Sequence, residues 1–136
     1  MKGEKEAKLA IEHADEFMGQ QINPAIEKIS LEKVSNILLT PSCLGYLWTY
    51  FTQRGMDAKI LPKDKPWYMH KIFVEIFGSK EHIVGDLVSA GDIFEDENFI
   101  KGEKLFDDEF SEYSPELNEV IDKEKHKGLY NYLINL

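Results

Sequence analysis

A chain of 136 residues, 43% hydrophobic and 12% aromatic, carries enough apolar side chain to close one core, and residues 1–136 are predicted to fold as a single domain. A formal net charge of −9 excludes the usual electrostatic route to direct nucleic-acid binding and disfavours an anionic membrane surface, because both need cations that displace counterions. One cysteine, Cys43, excludes an internal disulfide, and no uninterrupted apolar run marks a membrane span or leader, so a cytoplasmic location is expected.

The first predicted element covers Lys5 to Ile22, where Ala7, Ala10, Ile11, Ala14, Phe17, Met18 and Ile22 recur at helical spacing and form one stripe. Asn23-Pro24 supplies a capping residue and a first-turn proline, so a short second helix with Ile26 and Ile29 inward should begin at once. Ser30 is a plausible cap for a third helix through Leu31, Val34, Ile37 and Leu38, stopped by Pro41. Ser42 to Arg54 is dense in large apolar residues and ends at Gly55. It reads as the central buried helix, with Gly45 allowing a close approach by another element.

Pattern alone does not separate loop from short strand over 56–65, which is read as loop on the strength of Pro62, Asp64 and Pro66. Pro66 then opens a helix through Trp67, Met69, Ile72, Phe73, Ile76 and Phe77 to Gly78, and Ser79 is expected to cap another that ends near Gly91. From Asp92 to Tyr113 the periodicity weakens, which predicts a long acidic loop with short helical turns. A hairpin around Lys101-Gly102, within 98–106, is the other form that fits. Ser114-Pro115 starts a helix through Leu117, Val120 and Ile121, and Leu129 to Ile134 forms a last docking helix. The expected fold is therefore mainly α: a compact single-domain bundle of five to seven helices, with an acidic loop before the C-terminal helices.

The charge is local. Fifteen acids against three lysines lie between Glu81 and Glu124, while the rest of the chain is slightly basic. Concentrated like charge destabilises a compact state, so a basic companion is one reason to keep it, although a solvated acidic face is the plainer account. Aromatic residues among the acids strengthen the first reading, since rings anchor interfaces and the surrounding charge steers encounter. The candidate partner-binding residues are Glu95, Asp96, Glu97, Asp107, Asp108, Glu109 and Glu112, with Phe99, Phe110 and Tyr113 as anchors.

Catalytic and metal chemistry finds little purchase. A calcium loop read from Asp96 fails at Ile100 and Lys101, where an oxygen ligand and a glycine are needed. His13, His70, His82 and His126 lack zinc-site spacing; His13 and His126 are placed on solvated faces, and His70 and His82 at a surface or interface. Cys43 lies at a helix start, where amide groups favour a thiolate, but its neighbours Leu44, Leu47 and Trp48 read as core, so a structural thiol is expected. Phosphate loops and dinucleotide fingerprints are missing from the sequence, and Arg54 is its one arginine.

No catalytic residue, metal or cofactor is therefore assigned. The functional expectation is a non-enzymatic inhibitory module, such as an immunity protein or antitoxin, that neutralises a basic, nuclease-like toxin. The alternatives are a small carboxylate- or metal-dependent hydrolase and an adaptor without inhibitory activity.

Overall fold

A computed structural model of the chain describes residues 4–109 and 128–134. Its helices are α1 (Glu4–Phe17), α2 (Asn23–Lys28), α3 (Leu31–Leu38), α4 (Pro41–Asp57), α5 (Lys65–Phe77), α6 (Glu81–Ala90), α7 (Glu97–Glu109) and α8 (Gly128–Ile134). Six of these have eight residues or more, and no strand occurs among the described residues, so the mainly-α bundle holds. Segment 56–65 contains a 3-10 turn, Pro62–Asp64, and no strand. The helix expected after Ser114 lies outside the described residues.

Local chemistry explains most of the boundaries. The Ser30 side chain accepts a hydrogen bond from the Lys33 amide at 3.2 Å, which caps α3 as its position predicted. Pro24, Pro41 and Pro66 all occupy first-turn positions, where a missing N–H leaves nothing unpaired. Gly91 takes φ +81° at the end of α6, a conformation that disfavours other residues. Three details differ from expectation. A π-helical turn, Met18–Ile22, carries α1 directly into α2 without a cap from Asn23. A 3-10 turn, Gly78–Lys80, leads into α6 in place of a Ser79 cap. Helix α4 also runs through Gly55 to Asp57, because Gly55 is a packing residue whose missing Cβ makes room for the Tyr68 ring, 3.0 Å from where it would stand.

Helix α4 is the axis of the fold. It buries Cys43, Leu44, Tyr46, Leu47, Tyr50 and Phe51, and it lies chiefly against α7, while α1 lies chiefly against α5. Rings from three helices meet in the core: Phe17 stands edge-on to Tyr50 at 4.8 Å and to Phe51 at 5.1 Å, and Tyr50 meets Phe106 at 5.9 Å. Such rings contribute about 2–3 kcal/mol each by burial and about 1 kcal/mol more through edge-to-face contact.

The acidic loop expected from Asp92 onward is the main correction. A 3-10 turn, Asp92–Glu95, leads into the thirteen-residue helix α7. Phe99, Gly102 and Phe106 are its buried residues, a spacing of three and four that reads as helical once glycine is counted as a contact residue. A Cβ on Gly45 would run into the Phe99 carbonyl, and one on Gly102 into the Ser42 carbonyl. The two glycines therefore let the backbones of α4 and α7 touch, and Lys101-Gly102 is helical, with no hairpin.

Candidate functional site

Helix α7 divides the predicted contact residues into two groups. Phe99 is 2% exposed and faces Gly45, so its ring belongs to the core and is withdrawn from any surface. Asp96 is half-buried and caps the helix, its Oδ1 accepting from the Asn98 amide at 2.8 Å and the Phe99 amide at 3.3 Å. Glu95, Glu97, Asp107 and Asp108 are exposed. Glu109 ends α7 with its side chain outside the described set, and Phe110, Glu112 and Tyr113 also lie outside the described residues.

The outward face of α7 is acidic at both ends and mixed at its centre. Residues 95–108 hold six acids against Lys101 and Lys104. Lys101 stands 3.8 Å from Glu97, an exposed pair of the kind that contributes little. At a rise of about 1.5 Å per residue, the Asp96 and Asp107 positions are about 16 Å apart along the helix. Glu103 is half-buried, and burial followed by the nearby Asp107 charge raises its pKa above the ordinary carboxylate value.

A second site was not legible in the sequence. A cleft of about 410 Å³ opens between α5 and α6, with Trp48 of α4 at its base. Its apolar wall comes from Trp48, Met69, Phe73, Val84 and Val88, and its polar groups include Lys65, His70 and Glu81. The Trp48 and Phe73 rings stack at 6.1 Å and 14°, and Phe94 meets Trp48 edge-on at 5.1 Å, which fixes the indole. Across the cleft His70 Nδ1 lies 3.1 Å from Glu81 Oε1, an ion pair when the imidazole is protonated. The Lys65 ammonium lies 5.5 Å from the Trp48 ring centroid. The cleft depends on how three successive helices, α4, α5 and α6, pack against one another, and that packing is not written in the spacing of any one of them.

The remaining polar chemistry is structural. His13 is 8% exposed, contrary to its expected solvated position, and its Nδ1 shares a 2.8 Å hydrogen bond with the Tyr68 hydroxyl. Burial, then the Arg54 charge, lowers its pKa from 6.5 to about 4, so it is neutral at pH 7. Arg54 pairs with Glu16 at 2.9 Å. Cys43 is buried, and burial pushes its thiol up to about 11, which keeps it protonated despite its place in the first turn of α4. Among the described residues no group of three or more His, Cys, Asp or Glu side chains is arranged to hold a metal, and no helix is long and apolar enough to cross a membrane.

No protein-family model, curated protein or solved structure matches the chain.

Proposed function

We propose that the protein is an inhibitory binding module of the immunity-protein or antitoxin kind, working in the cytoplasm on a basic, nuclease-like partner. The observation that carries this reading is the mounting of α7. Phe99, Gly102 and Phe106 fix the helix to the buried α4, while Glu95, Glu97, Asp107 and Asp108 remain exposed. Carboxylates on a docked helix lose less freedom on binding than carboxylates on a loop, so the same charge gives tighter and more selective association. A row of carboxylates at fixed spacing also resembles the phosphates that a nuclease cleft accepts. The exposed acids supply the long-range attraction.

The test is capture from an extract of the source cells by the immobilised protein and by an Asp107→Lys/Asp108→Lys/Glu109→Lys variant. The reading expects a basic protein with nuclease activity on the wild type, inhibited while bound and absent from the variant. Equal retention by both, or a retained nuclease that stays fully active, would remove it.

A further inference from the structure

The α5–α6 cleft has features that the bundle does not need for its own stability. Gly85 lies within α6, where glycine is less favourable than alanine, yet it serves no close helix contact of the kind seen at Gly45 and Gly102. The nearest atom to a Cβ built there is Glu81 Oε1 at 3.5 Å, an ordinary contact. Its effect is to leave one wall of the cleft without a side chain. The cavity volume falls within the range of small-molecule sites, and its apolar lining with a few polar groups matches their usual make-up.

The polar groups are unequal. Glu81 has a partner in His70, whose Nδ1 lies 3.1 Å from its Oε1. Lys65 is half-buried, lies against the Trp48 ring, and stands within salt-bridge distance of no carboxylate among the described residues. A partly desolvated ammonium beside an apolar wall recruits an anion, and the wall recruits a hydrocarbon or aromatic body.

We propose that this cleft binds a small amphipathic carboxylate, with its apolar body between Trp48, Phe73 and Val84 and its carboxylate on the Lys65 ammonium. The site is distinct from the outer face of α7 and stands or falls without it. Gly85 sets how much body can enter, and Lys65 selects the sign of the head group.

Trp48 reports on occupancy. In a Trp67→Phe background it is the single tryptophan of the chain, and decanoate below its micellar concentration serves as the probe, with decanol and decylammonium as comparison arms. Decanoate is expected to change Trp48 emission saturably and to bind at least about tenfold more tightly than either comparison compound, the worth of one charge-assisted contact. Lys65→Met should remove that preference and Lys65→Arg should keep it. Gly85→Leu should abolish binding while the helical circular dichroism and melting temperature hold or rise. Absence of saturation, equal affinity for decanol, or unchanged decanoate binding in Lys65→Met overturns the proposal. Unchanged binding in a folded Gly85→Leu protein overturns it as well.

Discussion

The Phe99 carbonyl oxygen occupies the space where a Cβ on Gly45 would stand, and three residues along each helix the relation is repeated in reverse between Gly102 and the Ser42 carbonyl. The atoms in the way are backbone and cannot rotate aside. Gly45→Ala and Gly102→Ala should each therefore lower unfolding stability by about 2 kcal/mol, since overpacking outweighs the gain of up to about 1 kcal/mol in helix propensity. Gly85→Ala, where no atom crowds the new methyl, should raise stability by up to about 1 kcal/mol. Urea unfolding of the three variants checks both signs, and a stabilised Gly102→Ala would refute the close crossing.

Stability should fall in mild acid because of His13. The unfolded imidazole takes up a proton near pH 6.5, whereas the buried one resists until about pH 4. Above pH 6.5 both states are neutral and His13 gives no pH dependence. Below it the unfolded state binds the proton first, and the native state loses up to about 3 kcal/mol by pH 4. Denaturant titrations across this window should show the slope in the wild type and a shallower one in His13→Gln.

Gln21 joins the two ends of the described chain. It is fully buried in the π turn after α1; its Nε2 donates to the Tyr46 hydroxyl at 3.2 Å, and its Oε1 accepts from the Leu129 and Tyr130 amides at 2.8 and 3.2 Å. A side chain 108 positions away thus caps the seven-residue helix α8, which is too short to persist alone. Gln21→Leu should cost about 2 kcal/mol through the orphaned Leu129 amide. Hydrogen exchange should speed up in α8 well before it does in α4; uniform change across both helices would contradict this role.

Elements whose signals are local were readable from sequence. Ser30 and Pro66 mark helix starts by capping or by restricting the backbone, Pro41 marks the stop of α3, and the apolar run from Cys43 to Phe51 identifies the central helix with no knowledge of its neighbours. The pattern of α7 reads as loop because Gly102 counts as a breaker, whereas in the fold it acts as a contact surface. Phe99 and Phe106 consequently read as isolated rings among acids, which assigns Phe99 to a surface that it does not reach. Charged neighbours likewise suggest water around His13, while a tyrosine 55 residues later provides its buried partner. The exposed Glu95, Glu97, Asp107 and Asp108 were anticipated, because charge finds solvent without help from topology.

If α7 presents its acids to a cationic partner, the association rate of the captured basic protein should differ between wild type and Asp107→Lys/Asp108→Lys/Glu109→Lys. At low ionic strength the variant should associate at least about tenfold more slowly, and the gap should close as added salt shortens the screening length. Equal rates at low salt would show that the acids of α7 do not face the partner.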